Sequence, residues 1–361
     1  MDSTGDRVAD AAMLTTARES RGWTQADLAS EMTRHAGGEA VSQGYVSRAE
    51  AGRLTVQGER LALFAAALRY TPQMLCRTTD KGGGAGIGLV HHRKRASMGA
   101  LALRRVHATL AVTRFQVEAL VTDGDEGGKH RFRNIPVDDF DTPADAAETL
   151  RLEWGVPIGP LSNVIEVLEG AGALLVVRDL ESRELDAVSQ WPPGQRPLFL
   201  LNSTAPGDRF RFSLAHELGH VVMHPEPGDP RVQEQQADQF AAEFLMPHEP
   251  ILADLRTGVD LPRLQGLKNR WGVSMAALTR RAKSLGILTE WQYRELMVQM
   301  SALGYRTNEP VSIERETPRY LAEAVTRLRH QHHLDLSQAA HLAGLELEEF
   351  TEIYSCPSPP G

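Results

Sequence analysis

The sequence predicts a mainly α protein of several domains, with a central α+β portion carrying a small antiparallel sheet and a helical C-terminal region. Three observations predict it. Apolar residues recur at helical spacing over most of the chain. Only three short runs near the middle read as strands. The 361 residues exceed what one compact core usually holds. Composition narrows the class further. Apolar residues make up 42% and charged residues 24%, which excludes disorder of the whole chain. A net charge of −8 excludes a blanket nucleic-acid coat, so any DNA contact has to be local. Cys76 and Cys356 stand far apart, which excludes a disulfide scaffold or a cysteine-type zinc finger. No apolar stretch follows the acidic start (Asp2, Asp6, Asp10), and the longest apolar run, Leu61 to Leu68, is too short to span a bilayer. A cytoplasmic protein without membrane contact is expected.

Five segments follow in order. Residues 1–78 read as a bundle of short helices. Ala11, Leu14 and Ala17 recur at helical spacing and stop at Gly22; Thr24 caps a second helix with Asp27 at the box position. A polar insert, His35 to Ala40, leads to a third helix from Ser42 to Ala51 that Gly52 closes, and apolar helical stretches follow at Leu61–Leu68 and Pro72–Leu75. Residues 79–140 form a Gly-rich linker, centred on 81–88, and a basic helical segment. No acidic residue occurs between Lys81 and Val117, whereas Arg93, Lys94, Arg95, Arg104, Arg105 and Arg114 are basic. Residues 141–250 hold helices at Pro143–Trp154 and Leu161–Glu169, then strands at 173–177, 187–189 and 197–201. Residues 251–312 are a helical extension and residues 313–361 a last helical unit. Gly272–Arg281 and Leu336–Gly344 each have the shape of a capped short helix and turn, read as packing units rather than DNA readers.

The run Phe212–His224 (FSLAHELGHVVMH) carries the chemistry. His216 and His220, four residues apart, lie on one helix face and can aim imidazole nitrogens at one metal ion, and Glu217 can then act on a water at that ion. A catalytic site needs a third protein ligand. Downstream, Glu234 and Asp238 repeat the four-residue spacing on a second amphipathic helix. Glu234 as ligand, with Asp238 holding a ligand histidine from behind, uses both carboxylates. Asp238 and Glu243 remain alternative ligands. His224 continues the stripe but precedes Pro225, so it closes the helix or contacts a ligand rather than entering the reaction. The strand at Leu198–Leu201 is expected to bind an extended peptide by edge pairing.

The N-terminal segment carries a second function. Thr24–Ala29 followed by Val41–Arg53 makes a short helix, a turn and a helix whose first turn offers Ser42, Gln43 and Tyr45 to a groove. Gln43 suits adenine, while Gln25, Arg48 and Arg53 are placed for phosphates. Residues 1–81 contain ten basic and ten acidic residues, so one copy binds weakly without sequence readout, and homodimerisation or the Arg93–Arg95 cluster is expected to help.

These residues resemble two known families. Trp154 to Pro247 resembles the ImmA/IrrE metallopeptidases, a zincin-like (gluzincin) domain, through Arg209–His220 and Glu234–Pro247, and less specifically through Trp271–Leu278 to Arg306. Thr24–Arg53 resembles the lambda-repressor-like (Xre) helix-turn-helix, with a lengthened turn and Gly44 where a base-contacting side chain often stands. The first resemblance implies Zn2+, with manganese also suited to the set, held by His216, His220 and Glu234, and Glu217 as catalytic base. It implies a cytosolic endopeptidase that cleaves a helix-turn-helix repressor and so releases stress or mobile-element genes. The second implies binding of double-stranded DNA. The competing expectation is a DNA-binding transcription regulator whose metallopeptidase-like domain senses metal or docks proteins without hydrolysis.

Overall fold

The structure, a computed structural model, describes residues 7–37, 39–78, 99–121, 132–138, 141–182 and 185–354. The Gly-rich run 81–88, the Arg93–Arg95 cluster and Cys356 lie outside them. In chain order come α1 (Ala11–Ser20), α2 (Gln25–His35), α3 (Gln43–Glu50), α4 (Gly58–Leu68), α5 (Pro72–Leu75) and the longer α6 (Ala100–Leu120). Next are α7 (Pro143–Trp154), α8 (Val164–Ala171), β1 (Leu174–Arg178), β2 (Ala187–Gln190), β3 (Leu198–Asn202), α9 (Gly207–Met223) and α10 (Pro230–Leu245). The chain continues through α11 (His248–Leu255), α12 (Leu261–Trp271), α13 (Met275–Ser284), α14 (Glu290–Ala302), α15 (Tyr320–His332), α16 (Leu336–Leu342) and α17 (Leu347–Tyr354). The described residues are thus mainly α, with a helical N-terminal bundle and one small sheet, as the periodicity predicts.

They fall into two compact units, one drawn from residues 1–88, 94–126 and 319–361 and the other mostly from 127–318. In the first, α1–α4 bury Met13, Leu14, Leu28, Met32, Val46, Leu61, Phe64 and Leu68, and α5 adds Met74 and Leu75. Thr24 and Asp27 cap α2 reciprocally, and Ser42 caps α3 by accepting from the Tyr45 N–H. Helix α6 packs along α1. The last three helices join the same unit. Leu345 bridges Tyr70, the Thr71 N–H donates to the Gly344 carbonyl, and Arg21 forms a bidentate pair with Glu349. Glu349 at the start of α17 therefore faces a protein arginine, and the Leu336–Gly344 unit is a packing element.

In the second unit the sheet order is β1-β3-β2. Strand β3 runs parallel to β1 from Leu174↔Leu198 to Arg178↔Asn202 and antiparallel to β2 from Ala187↔Leu201 to Gln190↔Leu198. The sheet is therefore mixed, where a wholly antiparallel arrangement is expected from sequence. Neighbouring strands in sequence usually pair, but β3 inserts between β1 and β2. This placement also overturns the peptide-pairing expectation for Leu198–Leu201: both edges of β3 are taken, and all five residues are buried. Its unbroken apolar run is the signature of a strand covered on both faces, not of an edge. Behind the sheet one core joins α7, α8, α9 and α10 to α11–α14, with Phe210, Phe240, Phe244 and Trp271 fully buried. Helix α13 buries Met275, Leu278 and Ala282 in it, so the Gly272–Arg281 unit is also internal. No helix among the described residues is long and apolar enough to cross a membrane.

Candidate functional site

Helix α9 is apolar on every side except for a few polar groups, and sixteen of its seventeen residues are buried. Such a helix belongs at the centre of a domain, so every polar group on it must find a partner inside. Helix α10 lies against one side. A Cβ on Gly219 would stand 3.0 Å from the ring of Phe240, so glycine between His216 and His220 allows this approach without displacing the ring by a few tenths of an ångström. Asp229 starts α10 by accepting from the Arg231 and Val232 N–H groups, with Pro230 in the first turn. On the sheet side β2 lies against α9.

This packing brings His216, His220 and Glu234 together, with one ligand atom from each within 4.8 Å of the others. The two Nε2 atoms are 3.1 Å apart, Glu234 Oε1 is 3.3 Å from His220 Nε2, and Oε2 is 3.5 Å from His216 Nε2. The edges of a tetrahedron around an ion held at about 2.0–2.1 Å are roughly 3.3–3.4 Å long, so the triangle has the dimensions a metal ion needs. Its chemistry fits as well, because two buried imidazoles and a half-exposed carboxylate converge there. Behind the triangle, His216 Nδ1 is 2.9 Å from Asp238 Oδ1, His220 Nδ1 is 3.0 Å from His224 Nδ1, and His224 Nε2 is 2.9 Å from Gln236 Oε1. Glu243 is elsewhere: it pairs with Arg281 and accepts from the His248 N–H, which removes it from the possible ligands.

Charge follows burial and pairing. Burial opposes protonation of His216, but hydrogen bonds to Asp238 and Glu234 outweigh it and raise its pKa. Burial dominates at His220, pushing it down to about 4, and also lowers His224. Glu234 loses water, yet the two histidines hold its carboxyl well below the usual range. Glu217 is 1% exposed and accepts a 2.6 Å hydrogen bond from the Ser189 hydroxyl of β2. Sequence reasoning singles out neither Ser189 nor Gln236. A polar residue in the otherwise apolar start of β2 is the only trace of the first, and no spacing marks the second.

In the N-terminal bundle, Gln43 is exposed at the start of α3, and its amide donates to Gln25 Oε1 at 2.7 Å. Gln25 in turn donates to Glu50, which Arg18 grips with two hydrogen bonds. Arg48 and Arg53 are exposed. The Ser42 hydroxyl is engaged in capping. Tyr45 is only half-exposed, its ring 6.1 Å from Phe64 and covered by Arg60 at 5.4 Å.

A His/His/Glu triangle of two buried histidines and a half-exposed glutamate, with a second glutamate beside it, on a helix against a small sheet, describes a metallopeptidase-like domain, here in one chain with a helix-turn-helix bundle. Residues 168–283 match the IrrE N-terminal-like domain, a peptidase family, and residues 14–75 match the helix-turn-helix family. The chain thus joins an ImmA/IrrE-like domain to an N-terminal Xre-like one. Among curated proteins no match was found.

Proposed function

We propose that the chain is a cytoplasmic, zinc-dependent endopeptidase coupled to DNA binding, which regulates transcription by cleaving a helix-turn-helix repressor. The observation that carries this reading is the triangle of buried His216 and His220 with half-exposed Glu234, beside Glu217, in a chain that also has a DNA-binding type of bundle. The three residues would hold zinc, or manganese, whose chemistry is to polarise the scissile carbonyl and acidify a water. Glu217, held by Ser189, takes the proton of the attacking water and later gives it to the leaving amine. Asp238 fixes the His216 ring, and His224 contacts His220.

The DNA reading rests on Gln43. With one amide N–H committed to Gln25, its carbonyl and second N–H are left for the edge of an adenine. Gln25, Arg48 and Arg53 are assigned to phosphates, Ser42 to the helix start, and Tyr45 to shape more than contact. A neutral bundle calls for two copies on one operator.

The test is metal content of the purified chain beside His216→Ala and Glu234→Ala, followed by incubation of wild type and Glu217→Gln with candidate repressors. About one ion per chain, lost in both ligand variants, and cleavage lost in Glu217→Gln are expected. Cleavage by Glu217→Gln would sink the mechanism. Metal-dependent DNA affinity with no cleavage by any form would favour the non-hydrolytic regulator.

A further inference from the structure

We propose that Gln236 and His224 form a two-step hydrogen-bond relay that decides which nitrogen of His220 carries its proton, and so keeps His220 Nε2 as a lone pair beside His216 and Glu234. The inference rests on the metal reading above and adds a positioning residue, Gln236, to it.

The direction follows from what each group can donate. An amide oxygen only accepts, so at 2.9 Å from Gln236 Oε1 the Nε2 of His224 is the donor. Its Nδ1 is then the acceptor. That atom stands 3.0 Å from His220 Nδ1, and two ring nitrogens at this distance share one proton, so His220 donates from Nδ1. What remains on His220 is the Nε2 lone pair, 3.1 Å from His216 Nε2 and 3.3 Å from Glu234 Oε1. The reverse direction would place a proton on Nε2, inside the triangle, where it would exclude an ion. His216 reaches the same state directly, because Asp238 stands 2.9 Å from its Nδ1 and a carboxylate accepts.

The fold makes the longer route necessary. His224 ends α9 with its backbone N–H on the His220 carbonyl, and its side chain is buried beside the ring one turn earlier. Gln236 lies two residues from both Glu234 and Asp238 on α10. One helix therefore supplies the third candidate ligand and the acceptors that orient both histidines, directly for His216 and through His224 for His220.

The experiment uses the full chain labelled with 15N-histidine. Long-range proton–nitrogen correlation spectra read the tautomers, and competition with a chromophoric chelator reads zinc affinity. A proton on Nδ1 of His220 in the metal-free protein and on Nε2 of His224 in both forms is expected. Gln236→Leu should weaken zinc binding about ten- to a hundredfold, with an unchanged metal-free melting curve because Gln236 is partly exposed. Gln236→Glu, which offers only acceptors, should keep wild-type affinity or exceed it. Reversed tautomers in the wild type, or Gln236→Leu binding zinc as the wild type does, would overturn the relay while leaving the metal site standing. A wild type that takes up no zinc would overturn both.

Discussion

Glu217 is buried beside two histidines and accepts a hydrogen bond from the Ser189 hydroxyl on β2. A hydrogen bond to a charged group of this kind is worth about 1.5–3 kcal/mol. Ser189→Ala should therefore slow peptide hydrolysis on the order of ten- to a hundredfold while leaving metal content at the wild-type level; a parallel loss of metal would show that Ser189 serves folding instead. The triangle itself predicts how metal binding depends on pH. Zinc needs free Nε2 atoms, so protons compete with it. Burial opposes the charge on His216, but Asp238 and Glu234 raise its pKa above 6.5, whereas His220 is pushed down to about 4. On acidification, affinity should fall with a one-proton slope that sets in above pH 6.5 and steepens to two protons only near pH 4, and titration against a buffered chelator checks it. A two-proton slope beginning at pH 6.5 would mean that the rings titrate alike. His216, His220 and Glu234 are legible in sequence because four-residue spacings on helices are local facts, and Glu217 because it directly follows the first histidine. Ser189 is not, because its contact spans 28 residues and depends on which strand lies against α9.

At the scale of elements, helix positions were legible from caps and periodicity, as the predicted and observed limits of Pro143–Trp154 illustrate. Strand order was not, since an unbroken apolar run such as Leu198–Leu201 says only that a strand is covered. Nor was the segment between α14 and α15, which has no helical spacing and yet is fastened at two points. Glu309 accepts from the Met275 N–H at the start of α13 and pairs with Lys268; Glu316 accepts from the Val164 and Ile165 N–H groups at the start of α8 and pairs with Arg211 of α9. Each carboxylate meets the positive end of a helix and a buried cation together. Lys268 is 2% exposed and also bridges to Asp208 in the first turn of α9. Lys268→Met would leave two acids facing each other without their cation. Removing one partner of a buried pair costs about 3–5 kcal/mol, so the denaturation midpoint of the second unit should drop markedly. An unchanged midpoint in urea, followed by the fluorescence of the buried Trp271, would show that the segment is held by its backbone alone.

Across the whole molecule, the chain order conceals which pieces fold together. Helices α15–α17 follow the metallopeptidase-like region in sequence, yet they group with the N-terminal bundle, whose last helix ends at Leu75. The contacts explain why no local signal announces this. Gly344, in the left-handed region at φ +79°, sits so close to α5 that a Cβ would be 2.8 Å from Met74. Tyr354 donates to the fully buried Gln116 of α6, and Arg21 spends its fork on Glu349 while stacking on Tyr70. Ending the chain at Pro318 would remove these partners together, uncovering Met74 and the Gln116 amide and leaving Arg21 without its carboxylate. The first unit should then melt at lower temperature and become open to limited proteolysis near α5 and α6. The residues proposed to read DNA, Gln25, Gln43 and Arg48, take no part in those contacts. Operator affinity at low temperature should accordingly survive truncation and fail only as the bundle unfolds, which binding curves taken at two temperatures separate. Affinity lost at both temperatures, with the bundle still folded by circular dichroism, would instead make α15–α17 part of the DNA-binding surface.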